Sequence, residues 1–418
     1  MPSKQEILQR PSGTKDILPG EVESWRRLEA GARSIFERHG YREIRTPALE
    51  ARALFVRGIG EATDIVEKEM YGFGEGDDAV VLRPEATASV VRAYLENRLD
   101  KVRRFQKFHY IGAMYRHEKP QENRAREFHQ MGVEALGGSD PKLDAEVLIV
   151  ARDLFAGLGL TDFEIRLNSI GCKACRGTYR SVLKEALASR LSGLCEDCRR
   201  RFDRNAFRVL DCKREPCRKA IADLPGPEGS VCDACRTHFA AVRAGLDVAG
   251  VTYRLDPRLV RGLDYYTRTV FEVVGLNLGA RNAMAGGGRY DDLIEELGGE
   301  SAGAVGFAAG IETTLSALRK QGVPGYEDPP LAPPGPDAYA VAITDGDRDA
   351  CFRIVMALRA AGIPAEQDFE GKSPNAQMKQ ANRLGARFSV IIGPDERSRG
   401  EAKVRDMAAG QEQSVPEA

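Results

Sequence analysis

An α+β chain built in more than one domain is the fold class this sequence predicts, and three stretches predict it. The first, Arg103 to Glu118, reads as an alternating strand closed by Arg116; a charged loop and the return strand FHQMGVEAL complete a long β-hairpin. The second is a block from Cys172 to Cys235 that gathers eight of the nine cysteines and interrupts the strand and helix pattern on either side. The third is the proline-rich tether QGVPGYEDPPLAPPGPD (321–337), beyond which strand and helix patterns alternate as in a small open α/β domain.

At 418 residues the chain exceeds one ordinary core, so two or three domains are expected. Hydrophobic content of 42% beside 29% charged residues describes a soluble globular protein. With Lys+Arg 61 against Asp+Glu 62 there is no global basic field, and a nucleic-acid partner would have to be met by local patches. No apolar run approaches the length of a membrane span, and MPSKQEILQRPSG lacks a signal-peptide core. A cytoplasmic protein with no membrane partner is the expectation, and its cysteines are then thiols or metal ligands rather than disulfides.

Taken in order, EVESWRRLEAGARSIFERH (21–39) has Trp25, Leu28, Ala32, Ile35 and Phe36 at helical spacing, and a strand YREIRTPALE follows. AVVLRPE (79–85) reads as a strand leading into a helix from Ala86 to Leu95. Glu85 and Thr87 sit at that junction, where they can cap the helix or meet a ligand ammonium. On the hairpin's return strand Gln130 and Glu134 are four apart and so share a face of the sheet. PKLDAEVLIVARDLFAGLGL (141–160) is an amphipathic helix, and DFEIRLNSIG leads into the cysteine block.

That block reads as two successive quartets, Cys172, Cys175, Cys195, Cys198 and then Cys212, Cys217, Cys232, Cys235. Each has spacing suited to tetrahedral zinc, while a reduced, metal-free insertion stands beside that reading. Cys351, outside the set, reads as a core thiol. Beyond the block, Arg261-Gly262-Leu263-Asp264-Tyr265-Tyr266 opens a strand rich in β-branched residues. A guanidinium beside two phenols suits a small polar ligand with an anionic group. Adjacent strand residues face opposite ways, so Tyr265 and Tyr266 are not expected in one core. Gly286, Gly287 and Gly288 suggest a loop whose backbone a ligand approaches closely. AVGFAAGIETTL (304–315) is a strand-to-helix junction. In the last domain Lys372, Gln377, Lys379 and Arg383 can place donors on one face.

The string from Arg261 to Val273, with Gly13-Thr14-Lys15-Asp16-Ile17-Leu18-Pro19 and the hairpin ending in Arg116, resembles the histidyl-tRNA synthetases, and the resemblance covers nearly the whole chain. It implies a class II synthetase antiparallel sheet with flanking helices (residues 1–165 and 251–322), the cysteine-rich insertion (166–250), a linker (323–337) and an anticodon-binding domain (338–418). The first helix and strand resemble motif 1, which implies an obligate homodimer. The hairpin resembles motif 2. There Arg116 clamps the α-phosphate and the substrate carboxyl, with Arg261 opposite it, and these two are the catalytic pair. Histidine would be bound by Glu85, Thr87, Arg116, Gln130, Glu134, Arg261, Tyr265 and Tyr266, with Glu134 and Tyr266 on the imidazole. ATP with Mg²⁺ would meet Arg116, Glu118, Arg124 and Thr313, and the acceptor end of tRNA(His) would meet Lys119 and Gln121. Residues 304–315 resemble motif 3 with one departure: Thr313 stands where the family has an arginine gripping the γ-phosphate, and weakened ATP binding is expected. The rival reading is a non-catalytic synthetase paralogue, such as the regulatory subunit of ATP phosphoribosyltransferase.

Overall fold

The computed structural model describes residues 7–61, 63–119, 125–210, 212, 214–279, 282–327 and 335–416. The chain divides into two compact units, Met1–Leu331 and Ala332–Ala418. The first is built on an eight-stranded sheet. Its order is Arg42–Glu43, Gln106–Tyr115, Glu127–Leu136, Ala304–Gly310, Ala283–Arg289, Thr267–Gly275, Phe163–Ser169 and Arg254–Leu255. The inner strands all pair antiparallel, and only the two short edge strands run parallel to their neighbours.

Alternation along these strands feeds two cores. Phe271 and Phe307 point to one face, where they join Leu28 and Phe36 of the helix Glu21–Arg38 and Leu154 of the helix Pro141–Gly157. Val270 points to the other, with Phe55, Val91 and Tyr110. Burying each such side chain contributes roughly 1.5–3 kcal/mol, so the sheet is clamped from both sides.

Three expectations need correction in this unit. The strand YREIRTPALE is split: Arg42–Glu43 joins the large sheet, whereas Leu49–Ala51 pairs with Val80–Leu82 in a separate small sheet. Pro47, which has no amide proton to donate, lies between the two pieces. The triple glycine is a central strand rather than a loop, with Gly286, Gly287 and Gly288 opposite Ala308, Phe307 and Gly306. Tyr265 and Tyr266 enter the same core, because regular strand begins only at Thr267 and the alternation rule does not apply before it.

The insertion lies between Phe163–Ser169 and Arg254–Leu255. Its helices Lys173–Ala188, Glu196–Arg204, Phe207–Leu210 and Glu215–Ala220 enclose a small core around Tyr179, Leu183 and Ile221. Its last helix, Asp233–Val248, instead lends Val242 and Leu246 to the main core.

The second unit is a five-stranded sheet ordered Ala365–Gln367, Ala338–Ala342, Phe388–Ile392, Glu401–Asp406 and Glu412–Pro416, with Cys351 buried in its core. The first three strands are parallel and the last two antiparallel; Glu412–Pro416 had no signal in the sequence reading. Gln377 is not a free donor. It is buried, its amide accepting from Ala342 N at 2.9 Å and donating to Lys372 O at 2.8 Å, which staples the helix Pro374–Arg383 to the sheet.

Candidate active site

The return strand Glu127–Leu136 carries Glu134 into the interior, where it is fully buried. Its register partner on the next strand is Gly306, and a methyl there would overlap the carboxylate, so only glycine fits. One carboxylate oxygen accepts from Thr87 Oγ1 at 2.7 Å and the other from the Tyr290 hydroxyl. Burial pushes the Glu134 carboxyl up to about 8, against the lowering effect of the Tyr290 and Thr87 bonds and with Glu85 adding repulsion. Glu85 is also buried. It spans the start of the helix Thr87–Glu96, accepting from Thr87 N at 2.7 Å and Ala88 N at 2.9 Å. Burial raises its pKa too. Glu85 is thus a helix cap here, and Thr87 spends its hydroxyl on Glu134. Gln130, on the same strand, is half-buried. Tyr265 and Tyr266 lie with ring centroids 4.7 Å apart, and Tyr265 meets Tyr290 at 5.5 Å. Tyr290 has no role in the sequence analysis; its place directly after the glycine strand is the signal that marks it.

Next to this buried end lies a charged one. Arg261 donates to Glu272 at 3.0 Å, and its guanidinium lies across the backbone of Gly286, where any Cβ would collide with it. The close approach read into the glycines is therefore made by a side chain of this protein. Arg116 follows the first hairpin strand, donates to Pro84 O at 2.9 Å and stacks over Phe128 at 5.1 Å. Arg116, Glu118, Lys119 and Arg261 all line one cleft of about 860 Å³.

The opposite wall of that cleft comes from the insertion, which the sequence reading had not connected with the site. Arg201 and Arg208 reach Asp64 at 2.9 and 3.3 Å. Burial alone would raise the Asp64 carboxyl; its bond to Lys68 and the charges of Arg201, Lys68 and Arg208 outweigh burial and bring it to about 2. Thr313 stands half-buried in the first turn of the helix Ile311–Gln321 and is not part of the cleft lining. Its neighbour Glu312 accepts from the His129 backbone at 2.9 Å, and Arg319 is paired with Glu21 at 3.6 Å, turned to a different part of the fold. Gln121 and Arg124 lie outside the described residues.

The eight insertion cysteines do cluster, but not as successive quartets. Cys172 and Cys175 join Cys232 and Cys235, while Cys195 and Cys198 join Cys212 and Cys217, one group nested inside the other in sequence. The chain doubles back between helices, which brings the first cysteine pair to the last. Within the groups, sulfur pairs stand at 3.6, 3.9 and 4.0 Å. A disulfide needs about 2.05 Å, whereas four sulfurs about 2.3 Å from one zinc lie some 3.8 Å apart. Backbone amides of Cys172, Cys195 and Cys232 point at Cys235, Cys217 and Cys175 sulfurs at 3.1 to 3.2 Å, as partners of thiolates do. The donor set fits a divalent metal.

A helix-flanked antiparallel sheet with an arginine closing its hairpin is the catalytic architecture of a class II aminoacyl-tRNA synthetase, and the chain shares that fold with solved members. The chain belongs to the histidyl-tRNA synthetase family: the family model described as histidyl-tRNA synthetase matches residues 13–314, and that of an anticodon binding domain matches 337–418. Histidine–tRNA ligase from Desulforamulus reducens is 47% identical over 97% of this chain and 96% of its own length. The ligase from Geobacter sulfurreducens is 46% identical over 97% and 96%. Among solved structures, apo histidyl-tRNA synthetase of S. aureus superposes with a TM-score of 0.79 at 34% identity, covering 98% of this chain and 97% of that one.

Proposed function

We propose that the chain is an ATP-dependent histidine–tRNA ligase that forms histidyl adenylate and transfers the histidyl group to tRNA(His). The observation that carries this is the meeting of a buried, neutral-leaning carboxyl ringed by hydroxyls with a cleft lined by Arg116 and Arg261. The first end suits an imidazole, with Glu134 and Tyr266 on its two nitrogens and Gln130 toward the amino acid backbone. The second suits carboxylate and phosphate. The substrate carboxylate is already a nucleophile, so the reaction needs alignment and charge neutralisation rather than a base. Its oxygen bonds to the α-phosphorus, the bond to the β-phosphate oxygen breaks, and pyrophosphate leaves. Arg116 and Arg261 meet the charge at the α-phosphate from two sides. A terminal ribose hydroxyl of tRNA then attacks the acyl carbon and AMP departs.

Magnesium bound with ATP supplies neutralisation of the outer phosphates; the half-buried Glu118 is a carboxylate of the hard-oxygen kind it favours. Lys119, Gln121 and Arg124 would serve the phosphates and the tRNA end, and Thr313 the nucleotide. Zinc is the metal read for the two cysteine groups. The working form is a cytoplasmic homodimer. The regulatory-paralogue reading loses ground because Arg116, Arg261 and the C-terminal module are all kept, and because the relatives carry the ligase name. Histidine-dependent exchange of labelled pyrophosphate into ATP tests the proposal. Exchange is expected; a folded protein with none would restore the regulatory reading.

A further inference from the structure

Both cysteine groups hold the segment that carries Arg261 and the two tyrosines, one from each end. In the inner group, Cys195 stands at the N-cap position of the helix Glu196–Arg204 and Cys198 sits in its first turn. The chain between Cys198 and Cys212 then delivers Asn205 to Asp264 Oδ1 at 2.8 Å. It also lays Arg208 against Gly262, where a Cβ would stand 2.7 Å from the guanidinium. In the outer group, Cys175 is followed directly by Arg176, whose guanidinium donates to the carbonyls of Asp264 at 2.9 Å and Tyr266 at 3.1 Å. Cys232 holds the N-cap position and Cys235 the first turn of the helix whose His238 lies between Asp144 at 2.8 Å and Arg268 at 3.1 Å.

The segment needs outside support. Residues 261–266 precede the regular strand, so few sheet bonds hold them, and Arg268, the second residue of that strand, adopts a left-handed φ of 52°, a conformation that costs a non-glycine residue energy. The Arg268 amide is anchored to Gly171 O at 2.8 Å, immediately before Cys172. We propose that zinc in the two nested sites sets the conformation of residues 261–268, with Arg176 and Arg208 as positioning residues for the histidine pocket. This rests on the reading of the cysteine groups as zinc sites. Neither arginine needs to touch the substrate; each transmits the placement of a metal-tethered stretch of chain to Arg261, Tyr265 and Tyr266.

The test uses the full-length protein, with zinc counted by elemental analysis and histidine and ATP requirements taken from pyrophosphate exchange. Fresh protein is expected to hold two zinc equivalents, and Cys198→Ser one. Cys198→Ser and Arg208→Ala should each raise the histidine KM about tenfold, the scale of lost metal-site outer partners, with the ATP KM little changed. Arg208→Ala keeps both zincs, so it decides the matter if Cys198→Ser does not fold. Two zincs with an unaltered histidine KM in Arg208→Ala would overturn the positioning role and leave the zinc reading standing. Protein with no zinc and full exchange would overturn both, while absence of exchange in zinc-loaded wild type would instead strike the ligase reading.

Discussion

The two ends of the site are built on opposite principles. Around Glu134 the protein satisfies a carboxyl with its own hydroxyls in a closed interior and suppresses its charge. Around Arg116 and Arg261 it does the reverse, opening permanently charged guanidinium groups to a cleft and balancing them with Glu272, Asp64 and Glu118 at its borders. Selectivity is cheapest where a ligand must replace hydroxyl partners one for one, since an analogue lacking a donor leaves a buried group unpaired. Rate is won where fixed charge awaits charge that develops. One site therefore needs both a dry end and a wet one.

The contrast is open to direct test, the cleft first. Arg261→Ala should cost about 3 kcal/mol of activation, more than a hundredfold in exchange rate, because a preorganised charge at the reacting phosphate is lost. A variant with near-normal exchange would remove Arg261 from the catalytic pair. Next is Thr313→Arg, which supplies the guanidinium the family has at that position. A charge-assisted hydrogen bond of about 2 kcal/mol would lower the ATP requirement roughly thirtyfold while leaving that for histidine alone. An unchanged ATP titration would mean another group already fills the role.

The smallest effect belongs to the dry end. Glu134→Gln should raise the histidine requirement by about tenfold, the loss of about 1.4 kcal/mol, with little change in that for ATP. It also has a signature in stability. The folded carboxyl titrates near 8 against an ordinary 4.5, so the folded state holds a proton the unfolded chain has released. That contribution is complete below 4.5 and is lost as the pH rises toward about 8. Urea midpoints across this window should fall with pH in the wild type and less steeply in Glu134→Gln; parallel slopes would place the titrating group elsewhere.

Periodic and punctuated features were legible in the sequence. The hairpin ends within a few residues of its reading, and the helices at 21–38, 87–96 and 141–157 follow from their apolar spacing. What the sequence hid was whatever depends on three-dimensional return. Cysteine spacing cannot say which pairs meet, so the nested grouping appeared as consecutive quartets. Glu85 could serve as a cap or a ligand, and only the two amides within 3 Å show that it caps the helix. Alternation misplaced Tyr265 because it was extended past the first residue of the strand. The insertion's Arg201 and Arg208, on two successive helices, look like any solvated charged face until Asp64 is seen across from them.

The Arg261–Gly286 contact has a consequence for how such a protein can change over generations. The guanidinium occupies the volume a side chain at 286 would need, so the two positions form one unit of inheritance although they lie far apart in sequence. While the arginine keeps this place, any substitution at 286 must push its guanidinium out of the position it holds in the site. Once the arginine is lost, the slot stands open and alanine or serine can drift in, after which the arginine has no place to return to. Loss of catalysis along that route works as a ratchet, and a residue other than glycine at 286 would be the mark of a lineage that has passed it.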